Sequence, residues 1–438
     1  MAALSSNPES DLFTVTIDGL AHGGAGVGRR EGKVVFVPGA YPGDVVLARV
    51  EKEKKRHTQA ALVEIVSPSA RRRQPACPKA ADCGGCPWMA LDYETQLEWK
   101  REILRELVKR IGGVDAEVAP VIHADNELGY RSRVRMRISA SDRGAVIGYS
   151  RVKSNDIVDV GHCPIAANMV NAILKETREF FGENPEDAKV FHEMEIETEA
   201  DGKPGRLTLY SKRHPPKGVG ERILNALDDV KCVVLRFGKN MEVFGAEELE
   251  IPTIDGKTLV FGPGVFSQVN AAQNMKLVET VARMAGLSAG KQGLDLYCGM
   301  GNFSMPLAMM GAAMTGVEAN GRAVDDAEAN RDRLGILTAA FSKGKAEASA
   351  RKMLENGLSF DTVILDPPRE TPAETAVVAA GLAREKLVYI SCDPPSLARD
   401  IKKIVESGFT VSAIKPVDMF PQTFHAEAVC LMERTSRR

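Results

Sequence analysis

The chain has 438 residues, of which 44% are hydrophobic and 26% charged, and its formal net charge is −2. This length suits about two or three domains, and the composition excludes a disordered or fibrous chain. No apolar run reaches the length of a membrane-spanning helix, and the first residues, MAALSSNPESDLFTV, lack the pattern of a secretion signal. We therefore expect a cytoplasmic protein that does not bind a membrane, and we expect a monomer.

Residues 1–68 are predicted to form a small β-barrel. Four β-rich runs, LFTVTI, KVVFV, DVVLARV and AALVEIV, are separated by loops rich in glycine, proline or lysine. The stretch GGAGVGRREG lacks the Gly-Lys-Ser/Thr ending of a phosphate loop, and we interpret it as a hairpin turn. Between Arg49 and Arg73 the chain carries eight lysines or arginines against three glutamates. This charge predicts a surface that faces nucleic acid.

Cysteines are concentrated in the segment that follows the barrel. Cys77, Cys83 and Cys86 have the spacing C-x5-C-x2-C, and Cys163 follows far downstream. Thiols this close together in a cytosolic protein indicate a metal site rather than disulfides. Thiolates suit either zinc or an iron–sulfur cluster, and the spacing alone does not choose between them.

A helix is predicted over residues 91–111, because apolar residues recur there at helical spacing and two glycines follow. Residues 129–260 are predicted to be mainly β. We therefore place a central domain at 69–264, and we expect that its helix could pack on the domain that follows.

An alternating series of arginines lies in the segment YRSRVRMRI. The four residues are Arg131, Arg133, Arg135 and Arg137. The two-residue period of a strand places all four side chains on one face. Because like charges on one face of a strand repel one another, we expect an anionic partner there and predict that these arginines bind nucleic acid.

From residue 265 to residue 438, strand-like and helix-like segments alternate, which predicts a mainly parallel sheet with helices on both faces. In LDLYCGMGNFS, a strand enters a glycine-rich turn of the kind that binds nucleotide-like ligands. About twenty residues later, Glu318 ends a second strand, where an acidic side chain can accept hydrogen bonds from a ribose diol. The glycine spacing is not G-x-G-x-x-G, so S-adenosylmethionine is favoured over a dinucleotide. Asp366, in LDPPR, ends a third strand at the same edge.

A thiol and a carboxylate suggest the chemistry of this edge. Cys392, in VYISCDPPSLARD, ends a strand before a helix start, which should lower the pKa of its thiol. Its thiolate could add to C6 of a uracil, and Glu427, in DMFPQTFHAEAV, could then remove the proton from C5. His425 could orient Glu427 or act as the base itself. Cys430, in an apolar strand, is interpreted as a packing residue.

Together these segments resemble the RNA 5-methyluridine methyltransferases, the uracil-5 family that acts on transfer or ribosomal RNA. The resemblance covers nearly the whole chain and rests on GGAGVGRREGKVVFVPGAYPGDVV, CPKAADCGGC, FSQVN, DLYCGMGNF, LDPPR, SCDPPSLARD and FPQTFHAEAV, in this order. It implies an OB-like TRAM barrel at 1–68 and a [4Fe-4S] cluster on the four cysteines. It also implies a Rossmann-like class I methyltransferase domain at 265–438.

The resemblance further implies roles for single residues. Cys392 is the expected nucleophile and Glu427 the expected base. The expected contacts with S-adenosylmethionine are Gln268, Tyr297, Asn302, Glu318 and Asp366. Position 393 is Asp393, where the family usually has asparagine, and we expect an unusual substrate contact there.

Several interpretations stay open. The barrel and the cysteines together favour ribosomal RNA, with 23S rRNA as the expected substrate, over transfer RNA. An RNA cytosine-5 methyltransferase is an alternative, but those enzymes use two cysteines and LDPPR contains none. A non-catalytic RNA-binding protein is a third interpretation, against which the presence of Cys392 and Glu427 argues. Zinc is the alternative to the [4Fe-4S] cluster.

Overall fold

A computed structural model describes residues 11–141, 144–152, 154–199 and 202–435 of the chain. Residues 1–10, where we expected no secretion signal, lie outside these ranges. Within the described ranges, no helix combines the length and the apolar character that crossing a membrane requires.

A closed barrel of five strands comes first. Its strands are β1 (Leu12–Leu20), β2 (Gly26–Arg30), β3 (Lys33–Val37), β4 (Val45–Glu53) and β5 (His57–Ser67). The predicted barrel is confirmed, but the glycine-rich stretch is not only a turn, because β2 forms within it. Glycine is required in β2 because a Cβ at Gly26 would lie 2.5 Å from the Ala40 carbonyl oxygen, and one at Gly28 would lie 2.4 Å from that of Thr16.

The predicted helix is α1 (Tyr93–Arg110). Asp92 caps its first turn by accepting a hydrogen bond from the Thr95 backbone N–H at 2.8 Å. Beyond the last turn, a Cβ at Gly112 would lie 3.2 Å from the carbonyl oxygen of Ala398. The missing side chain therefore allows the end of α1 to approach the C-terminal part of the chain, against which the helix packs.

A seven-stranded sheet forms the central part of the chain. Its elements are β6 (Arg133–Ser141), β7 (Gly144–Ser150), β8 (Ile157–Asp159), α2 (Asn168–Glu183), α3 (Pro185–Ala188), β9 (Phe191–Glu197), β10 (Gly205–Ser211), α4 (Val219–Ala226), β11 (Val230–Phe237) and β12 (Asn240–Gly245). The strand order is β12-β11-β10-β9-β6-β7-β8. All neighbouring strands are antiparallel except β10 and β11.

The arginines of β6 face glutamates of the neighbouring strand β9. Arg135 lies opposite Glu195 in the strand register, and Arg137 lies opposite Glu193. The Arg135 guanidinium also donates to the Glu193 carboxylate at 2.7 Å. The argument that repulsion requires an anionic partner was therefore wrong, because the chain itself supplies the compensating charge. Arg131 lies before the strand, and RNA binding by the series stays a prediction.

A two-stranded ribbon follows the central sheet. It consists of β13 (Leu249–Pro252) and β14 (Thr258–Phe261), joined through a short 3-10 turn. Leu249 and Phe261 share one hydrophobic core with Leu277 and Val281 of the C-terminal part. This packing places the ribbon with the C-terminal domain, and we propose that the boundary predicted at residue 264 be moved before the ribbon.

The C-terminal domain is an α/β sheet. Its elements are α5 (Ala271–Ala285), β15 (Gln292–Leu296), α6 (Ser304–Met309), β16 (Ala313–Glu318), α7 (Gly321–Arg333), β17 (Ala339–Lys343), α8 (Ala346–Glu355), β18 (Phe360–Leu365), α9 (Ala373–Leu382), β19 (Ala383–Ser391), α10 (Pro394–Glu406), β20 (Phe409–Val417) and β21 (Glu427–Arg434). The strand order is β17-β16-β15-β18-β19-β21-β20, and β21 runs antiparallel to both of its neighbours.

Strand β17 was not predicted. It has five residues, of which one is buried, so the sequence shows no apolar pattern there. Asp366 therefore follows the fourth strand of this seven-stranded sheet in chain order and not the third. Strand β15 lies between β16 on one side and β18 on the other, so the chain changes sides of the sheet at this strand. Open α/β sheets bind ligands at such a switch point.

A buried ion pair connects α1 to the C-terminal domain. The Lys100 ammonium lies 2.6 Å from the Asp418 carboxylate, and neither side chain is exposed to solvent. The ammonium also donates to the carbonyl oxygen of Phe420 at 3.0 Å, and the Tyr93 hydroxyl donates to the second oxygen of Asp418 at 2.8 Å. Each partner thus compensates a charge that would otherwise be buried alone.

Replacing Lys100 with alanine should lower the free energy of unfolding by about 3–5 kcal/mol, because the Asp418 charge would stay buried without its partner. Lys109→Ala is a matched control on the same helix, since Lys109 pairs with Asp115 at the surface. It should change the stability by less than about 1 kcal/mol. Urea unfolding followed by circular dichroism measures both variants, and equal losses would contradict the assignment.

Candidate active site

The turn after β15 crosses the carboxyl edge of the sheet with a left-handed backbone. Tyr297, Gly299 and Gly301 have φ values of 68°, 55° and 94°. A tyrosine in this region costs about 1–3 kcal/mol, and such strain is found mainly at functional sites. The Glu318 carboxylate accepts hydrogen bonds from the backbone N–H groups of Gly299 at 3.2 Å and Asn320 at 2.7 Å. The fold therefore holds Glu318 against the turn that carries Tyr297, and their contacts with S-adenosylmethionine stay a prediction.

Two polar pairs hold the helix that follows this turn. The fully buried Asp295 accepts a hydrogen bond from the Ser304 hydroxyl at 2.6 Å, and burial raises the pKa of Asp295 to about 7. Asn302 and Asn274 exchange two side-chain hydrogen bonds, of 2.9 and 3.0 Å. Asn302 is therefore held in one orientation beside the glycine turn.

A cavity of about 350 Å³ adjoins the same turn. Its lining residues are Tyr297, Ala319, Lys345, Ala346, Glu347, Ala348 and Arg351. Most of them belong to the junction of β17 and α8, where no site residue was predicted from the sequence. The alternation of strands and helices was the signal that could have identified this junction. Gln268 is half-buried on the loop before α5 and is not among the lining residues.

Three strand ends bring the expected reactive groups to one edge. Asp366 follows β18, Cys392 follows β19, and Glu427 begins β21. Because β21 runs antiparallel to β19, its first residue lies at the edge where β18 and β19 end. Ser391 pairs with Ala428 in this register. The strand pairing therefore places Cys392 and Glu427 at neighbouring positions.

An arginine that was not predicted from the sequence lies beside the thiol. Arg369 Nε donates to Cys392 Sγ at 3.4 Å, and Arg369 Nη2 lies 3.4 Å from Nδ1 of His425. The arginine was visible only as the last letter of LDPPR, 23 residues before Cys392. Its side chain is exposed, so the guanidinium stands at the opening of the site.

Burial and neighbouring charges set the protonation behaviour of this edge. Burial raises the pKa of Cys392, Glu427 raises it further, and Arg369 lowers it. The net lowering expected from the helix start was therefore wrong. Burial also raises the pKa of Glu427 well above its ordinary value, with Asp366 adding to the shift and Arg369 opposing it. A carboxylate with a raised pKa is a stronger proton acceptor once it is ionised.

His425 is neutral near pH 7, because burial and the Arg369 charge lower its pKa to about 4. Its ring packs against Phe424, with ring centroids 4.2 Å apart. An imidazole this weakly basic accepts a proton less readily than Glu427. Of the two roles expected for His425, orientation of neighbouring groups is therefore favoured over that of the base.

Asp393 is the N-cap of α10, where its side chain accepts a hydrogen bond from the Ser396 backbone N–H at 3.1 Å. Its other carboxylate oxygen lies 3.9 Å from Nε2 of His22 in the barrel. Aspartate is a preferred N-cap residue, so the fold accounts for it at this position. The substrate contact expected for Asp393 stays a prediction.

Separate parts of the chain hold the loop over residues 418–426. Gln422 is fully buried with a φ of 71°. Its backbone N–H donates to the Gln96 side chain at 2.9 Å, and its carbonyl oxygen accepts from the Trp88 backbone N–H at 3.0 Å. The Tyr130 hydroxyl donates to the carbonyl oxygen of Pro421 at 3.0 Å. These contacts position the loop that leads into Glu427.

The four cysteines expected to bind a metal are free thiols. Burial raises the pKa of Cys86 to about 12, and Cys163, Cys83 and Cys77 raise it further, so all four thiols influence one another electrostatically. No group of three or more His, Cys, Asp or Glu side chains in the described ranges is arranged to hold a metal ion. Metal binding by the four cysteines, with either an iron–sulfur cluster or zinc, therefore stays a prediction.

Comparisons with known proteins agree with these observations. The family model described as tRNA (Uracil-5-)-methyltransferase matches residues 92–435, and the TRAM domain model matches residues 11–63. Over 437 residues the chain is 33% identical to the 23S rRNA (uracil(1939)-C(5))-methyltransferase RlmD of Aeromonas hydrophila, with 98% of each chain covered. It is 30% identical to an uncharacterized RNA methyltransferase of Listeria innocua, with 95% of this chain and 96% of that one covered.

A solved structure shares this architecture. It is the Pyrococcus abyssi tRNA (uracil-54, C5)-methyltransferase in complex with S-adenosyl-L-homocysteine, with a TM-score of 0.75 and 26% identity. The match covers 96% of this chain and 100% of that chain. The likeness therefore includes the barrel, the central sheet and the α/β domain.

Arg369→Met should raise the pKa of Cys392, because the guanidinium favours the thiolate, whereas Glu427→Gln should lower it. The pH dependence of iodoacetamide labelling of Cys392, followed by mass spectrometry, measures both shifts because the thiolate is the reacting form. An interaction of about 1.4 kcal/mol corresponds to a midpoint shift of about one pH unit. Cys430 is fully buried, so its thiol should stay unlabelled while the protein is folded, and it serves as an internal control for folding. Midpoint shifts of the same sign in both variants would contradict the assignment.

Proposed function

This chain belongs to the tRNA (uracil-5-)-methyltransferase family and is an S-adenosylmethionine-dependent RNA methyltransferase, and we propose that it methylates C5 of a uridine in 23S ribosomal RNA. The register that places Cys392 beside Glu427, at the edge that carries the glycine turn, is the observation that supports this most. A thiol and a carboxylate supply the nucleophile and the base that methylation of uracil C5 requires.

Cys392 activates the pyrimidine ring in this mechanism. Its thiolate adds to C6, and the electrons of the C5–C6 double bond move onto C5 and the C4 carbonyl oxygen as the C6–S bond forms. Bound S-adenosylmethionine supplies the methyl group, as an electrophile, to C5. Because burial disfavours the thiolate, Arg369, which donates to the sulfur at 3.4 Å, is assigned to stabilise it.

Glu427 completes the reaction by removing the proton from C5. The electron pair of the C5–H bond then restores the C5–C6 double bond, and the Cys392 thiolate leaves C6. General base catalysis of this kind typically contributes about 10²–10⁴-fold. His425, too weakly basic for this step, is assigned to orient the guanidinium of Arg369.

S-adenosylmethionine is assigned to the carboxyl edge around the turn after β15. The backbone hydrogen bonds that hold the Glu318 carboxylate leave it suited to accept hydrogen bonds from a ribose diol. The cavity beside Tyr297, of about 350 Å³, lies within the usual range for ligand sites of about 300–1,000 Å³. Gln268, Asn302 and Asp366 are the further contacts that we propose.

The choice of RNA is supported by the relatives. The Aeromonas relative named for 23S rRNA aligns with 98% of this chain. Transfer RNA is the alternative, because the Pyrococcus tRNA enzyme matches 96% of this chain, so the barrel does not separate the two substrates. An RNA cytosine-5 methyltransferase is less well supported, since the turn after β18 has no cysteine.

A [4Fe-4S] cluster is the group that we propose for the four cysteines. The proposed ligands are Cys77, Cys83, Cys86 and Cys163. Four thiolates are the usual ligands of such a cluster, and each binds a different iron, so their sulfurs need not converge on one point. Arg131 Nε, a buried donor without a partner among the described residues, fits an anionic group in this region. A structural role is proposed, because polar methyl transfer to an activated C5 needs no electron transfer.

Glu427→Gln should trap the covalent intermediate, because the variant lacks the base whose action releases Cys392. With ordinary uridine RNA and methyl donor, we expect a protein–RNA complex that survives a denaturing gel and a methylation rate lowered by about 10²–10⁴-fold. The wild type should show such a complex only with 5-fluorouridine RNA. Glu433→Gln, the same substitution at the far end of the same strand, should turn over at nearly the wild-type rate. A complex that persists in Cys392→Ala would refute the adduct.

Deleting the gene should remove 5-methyluridine from one position of 23S rRNA and leave transfer RNA unchanged. Mass spectrometry of both RNA fractions measures this in the parent, the deletion strain and strains complemented with the wild type or Cys392→Ala. Loss of the nucleoside from transfer RNA would instead select the tRNA alternative. Loss of 5-methylcytidine would select the cytosine-5 alternative.

A further inference from the structure

A cavity of about 330 Å³ opens at the surface of the barrel. It is lined by the loop between β1 and β2, the end of β3 and the facing ends of β4 and β5. The polar or aromatic side chains of its lining are His22, Phe36, Glu51, His57 and Gln59. The methyl transfer described above uses none of them, so their arrangement needs a separate explanation.

Two aromatic rings line the cavity together. Strands β3 and β5 run parallel and place Phe36 opposite Gln59. The His57 ring lies beside that of Phe36, with ring centroids 5.5 Å apart and ring planes at 76°. In an edge-to-face pair one ring offers only its edge to the other, so its faces stay available to a further planar group. The half-buried rings therefore offer a stacking surface, and the exposed Gln59 offers an amide donor and acceptor beside it.

A basic loop borders the cavity. It joins β4 to β5 and contains Lys54, Lys55 and Arg56, which are exposed and, within the described part of the chain, have no carboxylate partner. Glu51 and His57, on either side of this loop in the chain, both line the cavity. Uncompensated cations attract the phosphates of a nucleic acid, whereas the Glu51 carboxylate disfavours a phosphate inside the cavity. The charges therefore favour a ligand with an uncharged planar part in the cavity and an anionic part over the loop.

The cavity adjoins the catalytic edge through His22. Nε2 of its ring lies 3.9 Å from the carboxylate of Asp393, the residue that follows Cys392. A Cβ on Gly24 would lie 2.8 Å from the ring of Phe424, so glycine allows the loop between β1 and β2 to contact the loop before β21. Burial lowers the pKa of His22, with Asp393 opposing this shift, so the imidazole is neutral near pH 7. His22 therefore reaches both the cavity and the neighbour of the nucleophile with a ring that can donate or accept a hydrogen bond.

We propose that this cavity binds an unpaired RNA base that neighbours the target uridine in the strand, stacked on Phe36 and His57, an inference that rests on the proposed function. The phosphates beside this base bind the basic loop, and His22 stands between the two bases as a positioning residue. A target base must leave its stack before methylation, which is unfavourable. Stacking of the neighbouring base on the barrel offsets part of that cost. The barrel thereby selects RNA that is single-stranded at its target.

The test measures how the full chain binds a fluorescent single-stranded oligouridylate, by anisotropy and without methyl donor. His57→Leu should weaken binding by about 5–150-fold, the equivalent of about 1–3 kcal/mol for one stacked base, without changing its dependence on salt. Lys55→Gln should instead lower the magnitude of the slope of log Kd against log salt by about 0.7, because one phosphate contact is lost. Val66→Ala, at the exposed far end of β5, and Lys109→Gln, on α1, are the matched controls and should change neither quantity.

Photocrosslinking locates the bound base directly. An oligonucleotide that contains 4-thiouridine should modify a peptide of the wild type that carries Phe36 or His57. Crosslinks confined to other parts of the chain, or equal affinities of His57→Leu and Val66→Ala, would overturn the proposal. Free uridine monophosphate that displaces the oligonucleotide as effectively as unlabelled oligouridylate does would also overturn it, because the cavity would then be a mononucleotide site.

Methylation assays on the same preparations separate this inference from the proposed function. With 23S rRNA, His57→Leu should raise KM and leave kcat nearly unchanged, since the reacting groups stay in place. A wild type that binds the oligonucleotide as expected but methylates no uridine would refute the proposed function and leave the cavity as an RNA site. Normal methylation together with unchanged binding in His57→Leu would overturn the role of the cavity alone.

Discussion

The buried ion pair between Lys100 and Asp418 is the contact on which the position of the loop before Glu427 depends. Asp418 comes directly after β20 and begins the loop that leads into Glu427, whereas Lys100 belongs to α1, before the central sheet. Since a buried charge without its partner is strongly destabilising, α1 and the α/β domain must fold against each other. The barrel joins the same assembly where the Trp88 indole donates to the carbonyl oxygen of Gly24 at 3.1 Å. One loop is therefore held by separate parts of the chain.

Electrostatic balance at the sheet edge depends on Arg369. Cys392, Glu427 and Asp366 lie together there. Burial raises the pKa of each, and acidic neighbours raise the pKa of Cys392 and of Glu427 further. The guanidinium opposes these shifts for the thiol and for Glu427 while staying exposed. A thiol that is not permanently ionised and a carboxylate of raised pKa suit a cycle in which each group gains and loses a charge.

The cysteine region and the catalytic edge are connected through one short segment. Tyr130 donates to the carbonyl oxygen of Pro421, and Arg131 lies over the ring of Phe420. A group bound by the cysteines would therefore influence the position of the catalytic loop through packing, without taking part in the chemistry. This arrangement gives a physical reason for the structural role that we propose for the cluster.

The sequence by itself determined the barrel, helix α1 and the alternating α/β domain, because caps, periodicity and motifs such as LDLYCGMGNFS act over short stretches of chain. The reactive groups, Cys392 and Glu427, stay a prediction that the strand register supports. Strands β2 and β17 were missed because their residues show little apolar pattern. Only the tertiary structure decided that Arg369 lies beside Cys392, that Glu193 compensates Arg135, and that the pKa of Cys392 is raised. The reason is that burial and Coulomb interactions depend on distance in space, and residues far apart in sequence produce them here.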